Sequence, residues 1–314
     1  MKRRSGLCGP RFQLAIDEGA YPEALRQGNR PPKRLYGIGD AGAVREGLAV
    51  VGARKATPYG IGCAKRFARQ AAERGIVIVS GGARGCDSVA HEAALAAGAP
   101  TVAVLGGGCD EVYPIENLGL FQRIIDEGGA VISEHEWHQR PRPYCFRERN
   151  RIIAGLARAT LIVEAGLPSG TFSTADEAIS AGREVLVVPG AITSKQSRGA
   201  NRLIYQGATP IVDGEAFADQ LDALFGREAD EAVGDPEGAT RRRGGERVVQ
   251  DDAELCLLDA LRAEPLDLEA LQAIARSQHE EGDALTWLMV WLAKAQRLGA
   301  VALYPDGRYG PALR

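Results

Sequence analysis

The feature that most constrains the fold of this chain is an alternation of short apolar runs with segments of helical length. The runs are rich in Val, Ile and Leu and occupy residues 48–53, 76–82, 101–107, 130–134, 160–165, 184–190 and 209–212. They are nearly continuously apolar, which is typical of strands covered on both faces. Because helical segments and short joints separate them, the sequence predicts right-handed crossovers and a doubly wound, mainly parallel α/β sheet.

Helix boundary signals support this interpretation. Thr57 is a typical N-cap residue, and Pro58 follows it at the first helical position. Gly75 and Gly98 lie where helices are expected to stop. Asp87 lies in the loop at 80–88, and we expect it to cap the next helix.

The 314 residues exceed one small domain, and the composition changes along the chain. Residues 1–45 form a lead-in, 46–225 the α/β domain, and 226–250 a linker without apolar periodicity. Residues 251–314 read as three helices and two short strands around a turn at 305–307, a winged-helix-like domain. The GxGxxG match at 37–42 precedes the first strong strand instead of following one, so we interpret it as a surface turn.

The composition narrows the classes of function. No apolar run approaches the ~18 residues that a membrane span needs, and the N-terminus has no apolar core of a secretory signal. The six cysteines are scattered without a CxxC pair, which indicates free thiols in a reducing cytoplasm. The histidines of the segment at 134–139 are interpreted as part of a polar loop, so no metal and no cofactor is expected.

The loops that follow the strands carry the clearest functional signal. Ligands of such sheets bind at the carboxyl ends of strands, and these loops are rich in Gly, Ser and Arg. Between residues 140 and 158 six arginines face one glutamate, Glu148, with Tyr144 and Phe146 interleaved, in a chain of net charge −3. Guanidinium groups beside aromatic rings suit phosphates and stacked bases, so this segment favours nucleic-acid binding.

Two turns of small residues add anion-binding chemistry. Ser169, Gly170 and Thr171 stand before a predicted helix, where backbone N–H groups and the helix dipole favour an anion. The turn at 80–85, SGGARG, repeats that pattern at another strand end. We therefore expect both turns and the arginine cluster to form the walls of one groove.

Five long segments resemble the DNA-processing protein A family, also called Smf. They read VVGARKATPYG, SGGARGCDSVAHEAAL, AVLGGGCDEVYPIEN, FRERNRIIAGLARATLIVEAGLPSGTFSTADEAISAGREVLVVPG and SRGANRLIYQGA. The lead-in YPEALRQGNRPPKRLYGIGD is also similar to the family's. The resemblance covers nearly the whole chain apart from its tip and the linker.

The resemblance implies a Rossmann-like core that binds single-stranded DNA without enzymatic turnover. It implies protection of incoming strands during natural transformation, loading of the RecA recombinase, and a homodimer formed through the core. The expected DNA-binding residues are Arg54, Ser80, Gly81, Gly82, Arg84, Phe146, Arg149, Asn150, Arg151, Ser169, Gly170 and Thr171, and either Phe146 or Tyr144 is expected to stack a base.

An enzyme acting on nucleotides is the alternative. The loop order is similar to that of phosphoribohydrolases, which use a Glu two residues after the Thr of the P-S-G-T turn as acid or base. Here that position is Ser173, and Glu177 one turn further is expected to point elsewhere. A nucleotide-sensing protein on the same fold also stays open.

Overall fold

The computed structural model describes residues 6–28, 30–167 and 169–226, and in the C-terminal part residues 257–258, 260–261, 266–278, 284–297, 301–304 and 308–311. Residues 1–235 form one compact unit and residues 236–314 a second. The predicted linker at 226–250 lies outside the described residues except for Gly226.

The first unit is built on one nine-stranded sheet. Its strands are β1 (Arg11–Ala15), β2 (Arg34–Gly39), β3 (Gly47–Val51), β4 (Ile78–Ser80), β5 (Thr101–Val104), β6 (Ala130–Ser133), β7 (Ala157–Ile162), β8 (Glu184–Val187) and β9 (Thr209–Pro210). Their order is β1-β2-β6-β5-β4-β3-β7-β8-β9, and all neighbours from β6 to β9 are parallel. The prediction of a doubly wound, mainly parallel sheet is therefore confirmed, with a strand at each of the seven apolar runs.

The direction of winding reverses between β3 and β7. The chain moves outward from β3 to β6 and then returns to place β7 against the other side of β3. In open α/β sheets, loops diverge at such a switch point and leave a crevice at the carboxyl ends of the strands. The sheet order thus locates the crevice between the loops that follow β3 and β7.

Two antiparallel strands extend the parallel sheet and were not predicted. β1 pairs with β2, and β2 pairs with β6. The interpretation of 37–42 as a surface turn is therefore wrong in part: residues 37–39 end β2, and a short 3₁₀ helix spans Ala41–Ala43. Gly37 lies under the Phe12 ring, where a Cβ atom would come within 2.1 Å of Cζ.

Helices cover both faces of the sheet. They are α1 (Glu23–Arg26), α2 (Pro58–Ala72), α3 (Cys86–Ala96), α4 (Leu118–Asp126), α5 (Pro143–Gly155), α6 (Thr171–Ser180), α7 (Arg198–Tyr205) and α8 (Gly214–Phe225), with a 3₁₀ turn at Ile115–Asn117. The Thr57 hydroxyl accepts the Gly60 N–H at 3.2 Å, and Gly75 and Gly98 adopt positive φ after α2 and α3. These three boundary predictions are confirmed.

The second unit contains α9 (Leu268–Gln278), α10 (Ala284–Arg297) and an antiparallel pair of β10 (Val301–Leu303) and β11 (Tyr309–Pro311). Residues 257, 258, 260 and 261 are also helical. Leu261, Leu271, Leu288 and Trp291 belong to its apolar core. The predicted turn at 305–307 lies outside the described residues, and the winged-helix assignment stays a prediction.

Two expectations from composition can be compared with the described part of the chain. None of its helices is long and apolar enough to cross a membrane. Its five cysteines, at positions 8, 63, 86, 109 and 145, are free thiols, as predicted.

Candidate nucleic-acid interface

An open groove of about 650 Å³ lies at the switch point of the sheet. The loop after β3, the loop between β7 and α6, the loop after β8 and one face of α5 form its walls. Its lining residues include Gly52, Ala53, Arg54, Lys55, Asp87, Pro143, Phe146, Arg147, Arg149, Asn150, Leu167, Ser169, Gly170, Thr171, Ser173, Lys195 and Gln196. The topology of the sheet and the clustering of small and cationic residues therefore coincide at one surface.

Helix α5 presents one of its faces to the groove. Pro143, Phe146, Arg147 and Asn150 all line it. They are spaced i, i+3, i+4 and i+7, which places them on one side of an α-helix. Because of the helical period, only some of the arginines in this segment face the groove.

The groove carries an excess of positive charge. Arg54, Lys55, Arg147 and Lys195 line it with exposed side chains. Within the described residues none of these four forms an ion pair, and the one carboxylate of the lining, Asp87, is buried. The chain as a whole has net charge −3, so the positive potential is a local property of this surface.

An aromatic ring lies among these cations. The Arg54 guanidinium carbon is 5.8 Å from the centroid of the Phe146 ring, within cation–π range. Tyr113, which is 47% exposed, lies 5.2 Å from Phe146 between ring centroids. Tyr113, Arg84, Arg54 and Phe146 together line a small cleft that shares residues with the groove. Rings and guanidinium planes of this kind form a platform on which a base can stack.

Arg149 does not present its guanidinium at the surface. The residue is 5% exposed, and its Nη1 donates to the Val104 carbonyl at 3.0 Å. Its head group fills the space beside Gly81, where a Cβ atom would come within 1.6 Å of Nη1. Burial lowers the pKa of Arg149 to about 10 while Asp87 acts in the opposite direction, so the group stays charged at neutral pH. Arg149, predicted as a phosphate ligand, is therefore a buried cation of the groove lining whose Nη1 already donates to the protein.

The turn at 80–85 uses most of its polar groups internally. The Asp87 carboxylate accepts the Gly81 N–H at 3.2 Å and the Ala83 N–H at 3.3 Å, and the Ser80 hydroxyl donates to the Val50 carbonyl at 2.6 Å. The expectation that Asp87 caps α3 is therefore wrong, since its carboxylate bonds the preceding turn while Gly85 is the N-cap. Burial raises the pKa of Asp87, and Arg149 opposes that shift.

Among the predicted residues of that turn, only Arg84 has an exposed side chain. Gly82 packs against Phe121, with the position of a Cβ atom 2.3 Å from the ring. Arg84 lies 3.8 Å from the Glu116 carboxylate between two exposed side chains. The 80–85 turn thus supplies one exposed cation beside Tyr113 and little backbone anion binding.

Arg151 lies outside the groove. It is ion-paired to Glu134, and it lines a separate cleft with Arg30 and Glu177. Positions 149 and 151 are two apart on α5, so their side chains leave the helix on different sides. The structure therefore brings Arg54, Phe146 and Asn150 together and leaves Arg151 apart from them.

The N-terminus of α6 forms the opposite wall. Thr171 begins the helix, and its N–H is accepted by the Ser169 hydroxyl at 3.2 Å, while that hydroxyl donates to the Thr171 Oγ1 at 2.9 Å. Gly170 faces open space, and its N–H has no acceptor among the residues that the structure describes. The helix dipole and this free donor give the wall a preference for an anion.

The loop that carries Arg54 is fixed from below. The Glu164 carboxylate accepts the Thr57 N–H at 2.9 Å and the Thr57 hydroxyl at 2.8 Å. The Cys86 N–H donates to the Ala53 carbonyl at 3.2 Å, next to Gly85. Gly85 has φ of +82°, and a Cβ atom there would come within 2.2 Å of the Ala53 oxygen. Position 85 therefore needs glycine if the Arg54 loop is to keep this place.

The groove has a serine at the acid/base position of the enzymatic alternative. Ser173 lines it where a catalytic glutamate would be required. Glu177 lies in the other cleft, with its carboxylate 2.6 Å from the Arg30 guanidinium, so the prediction that it points elsewhere is confirmed.

Three lining residues were missed in the sequence: Lys55, Lys195 and Gln196. Lys55 follows Arg54 directly, and the other two lie in the loop after β8. The position of that loop could have identified them, because it follows the carboxyl end of β8, a strand adjacent to β7.

Together the fold and the groove define a class: an α/β protein of Rossmann-like topology with an open cationic surface at its switch point. The family model described as DNA recombination-mediator protein A matches residues 13–222. The chain belongs to this family.

Curated relatives and solved structures agree with that assignment. Protein Smf of Escherichia coli is 39% identical over 209 residues, covering 66% of this chain and 56% of that protein. A putative DNA processing protein DprA of Mycobacterium tuberculosis is 38% identical over 259 residues, covering 80% of this chain and 63% of that protein. The chain thus spans less than two thirds of the length of either relative.

Two solved structures are similar to this chain. DNA processing protein A of Streptococcus pneumoniae superposes with a TM-score of 0.61 at 35% identity, over 67% of this chain and 74% of that one. The Helicobacter pylori protein gives a TM-score of 0.61 at 30% identity, over 69% and 96%. The latter structure concerns the single-stranded DNA binding mode of that protein.

Proposed function

We propose that the groove binds single-stranded DNA and that the protein acts in DNA processing as a non-catalytic binding protein. The carrying observation is the switch-point groove, which four exposed cations and the Phe146 ring line together without an exposed carboxylate in the described lining. Phosphates require cations and bases require rings, and both are within one surface.

The roles follow from the geometry. Arg54, Lys55, Arg147 and Lys195 neutralise phosphates, and the Gly170 N–H with the α6 dipole holds a further one. Phe146 stacks a base, and Asn150 offers hydrogen bonds from the same helix face. This arrangement offers little base-edge readout, so recognition is largely independent of sequence.

Arg149 contributes indirectly in this proposal. Its buried guanidinium holds the 80–85 turn against β5 through Val104, and that turn supports the Arg54 loop through Gly85. Arg151 and Ser80, although they match the family's groove positions, are placed among the supporting residues on the same grounds.

The biological roles rest on family membership and on the groove. We infer that the protein protects incoming single strands in natural transformation and passes them to the RecA recombinase, as a homodimer in the cytoplasm. Light scattering of the purified protein tests the dimer, and strand exchange by RecA with and without the protein tests the loading role.

Fluorescence anisotropy of labelled oligo(dT) across a salt series tests the groove. Arg54→Ala and Lys195→Ala should each weaken binding and flatten the slope of log K against log[salt] by about 0.7, the value for one lost phosphate contact on a single strand. Arg123→Ala is the matched control, since Arg123 pairs with Glu127 on α4 and lies outside the lining of the groove. Unchanged slopes in both groove variants would refute the assignment.

The enzymatic alternative predicts a different result. A phosphoribohydrolase would release a free base from nucleoside monophosphates, which chromatography detects directly. Because Ser173 occupies the acid/base position, we expect no released base.

A further inference from the structure

A second cleft lies beside the N-terminus of α5, outside the groove. It has a volume of about 580 Å³ and is lined by residues 136–140, Arg142 and Tyr144. Its chemistry is like that of the groove, because exposed arginines lie next to aromatic rings. None of these residues belongs to the groove lining, and Arg140, Arg142 and Tyr144 are part of the segment in which the sequence favours nucleic-acid binding.

The cleft and the groove meet at the start of α5. Pro143 lines the groove, while its two chain neighbours, Arg142 and Tyr144, line the cleft. Phe146 and Tyr144 are two positions apart on the helix, so their rings project from different sides of it. The first turn of α5 therefore separates two binding surfaces, each with its own aromatic ring.

The cations of the cleft are free for a ligand. Arg140 and Arg142 are exposed, and no ion pair to either occurs within the described ranges. Glu136 is the one carboxylate of the cleft lining. His138 is 3.3 Å from the Asp110 carboxylate, and Asp110 does not line the cleft. The balance of formal charge in the cleft is positive.

Tyr144 is the ring that a ligand can reach. It is 51% exposed. The other ring of the cleft, Trp137, has the Arg11 guanidinium 4.6 Å from its centroid and Tyr36 packed edge-on at 5.4 Å. Trp137 is therefore held by the protein, and Tyr144 is left for stacking.

The loop that forms the cleft is held in place by backbone bonds. The Gly108 N–H donates to the Gln139 carbonyl at 2.8 Å, and the Asp110 N–H donates to the Trp137 carbonyl at 2.9 Å. Gly107 and Gly108 allow this contact, because a Cβ atom at either would lie within 3 Å of the opposing loop. A surface ordered in this way loses little conformational entropy when it binds.

We propose that the cleft is a second subsite for the same single strand, which passes from the groove over Pro143 and continues between Arg142, Arg140 and Tyr144. The arginines bind phosphates of the continuing strand, and Tyr144 stacks one of its bases. This inference rests on the proposed function of the groove and predicts how affinity depends on strand length.

The test is a length series of labelled oligo(dT) from about 4 to about 16 nucleotides, the range of site sizes for such surfaces. In the wild-type protein the affinity should rise again once the strand is long enough to leave the groove. In the Arg140→Ala/Arg142→Ala variant and in Tyr144→Ala, long strands should bind about fivefold or more weakly and short strands unchanged. Tyr144→Phe should retain wild-type affinity, because stacking needs the ring and not the hydroxyl.

The outcomes separate this inference from the proposed function. Arg54→Ala should weaken binding at every length, which is the signature of the groove. If short strands bind, and the cleft variants bind long strands as tightly as the wild type does, the second subsite alone is overturned. An equal loss at all lengths would also overturn it, since the cleft residues would then act within the groove. Absence of wild-type binding at every length would overturn both.

Discussion

At the scale of single residues, two arginines of α5 illustrate how position on a helix decides the role of a side chain. Arg147 is exposed in the groove, whereas Arg149 is buried with its guanidinium bonded to the Val104 carbonyl. Both are in one cationic run of sequence. The sequence predicts the run, but only the orientation of α5 against β5 decides which guanidinium is buried.

Arg149 is expected to matter for stability before it matters for binding. Arg149→Met should destabilise the protein by about 3–5 kcal/mol, because it leaves the Asp87 carboxylate buried without its cation. Urea denaturation measures this change. The double variant Arg149→Met/Asp87→Asn should recover part of the loss, and no recovery would mean that the two charges are not coupled.

His91 makes the fold sensitive to acid. It is fully buried, its ring Nδ1 is 2.8 Å from the Thr101 hydroxyl, and burial lowers its pKa to about 3. The unfolded chain takes up this proton below about pH 6.5, so the contribution to stability is present above that pH and lost as pH falls toward 3. The slope is about 1.4 kcal/mol per pH unit for one proton.

Urea denaturation at a series of pH values tests this prediction. His91→Gln should remove that slope between about pH 6 and 4. Thr101→Val is the control, because it breaks the same hydrogen bond and keeps the imidazole. A wild-type slope that survives in His91→Gln would show that other groups carry the acid sensitivity.

At the scale of elements, the parallel strands could be predicted and the antiparallel ones could not. All seven parallel strands read as apolar runs, and β3 to β8 are buried on both faces over most of their length. β1 has the sequence RFQLA with alternating exposure, and β2 contains Gly37 because Phe12 covers it, so both lack that signal. Their place is determined by the pairing of β2 with β6, a contact between distant parts of the chain, and by the pairing of β1 with β2.

The candidate site shows the same division. Loops at strand ends, the start of α5 and the 169–171 turn could be located from the sequence, because chain order and strand direction bring them to one edge of the sheet. The internal use of the 80–85 turn could not, since it depends on the Asp87 carboxylate reaching back over its own helix start.

The start of α2 is held by a cap that also reaches Glu164, in the loop after β7. Thr57→Ala removes the bond to the Gly60 N–H and the bond to Glu164, and should cost about 1 kcal/mol of stability. Chemical denaturation measures the change. Thr57→Ser keeps the hydroxyl and should stay near the wild type; an equal loss in Ser and Ala would point to the methyl group and not to the cap.

At the scale of the whole molecule, the two proposed binding surfaces belong to one of the two units. Every residue that lines the groove or the cleft lies between positions 51 and 196, within the first unit. A chain ending at Gly226 should therefore fold and bind oligo(dT) with the affinity and salt slope of the full chain. Anisotropy with both proteins tests this, and weaker binding by the shorter chain would assign DNA contacts to the second unit.

The sheet ends at β9, a strand of two residues that includes Pro210. The Ile211 N–H donates inward to the Val187 carbonyl, so position 210 turns its backbone nitrogen toward the open side. Proline has no N–H there, and a further strand would find no donor at that point. This edge is thereby closed to β-augmentation, whether by aggregation or by an extended peptide, and a partner that covers it has to dock through side chains.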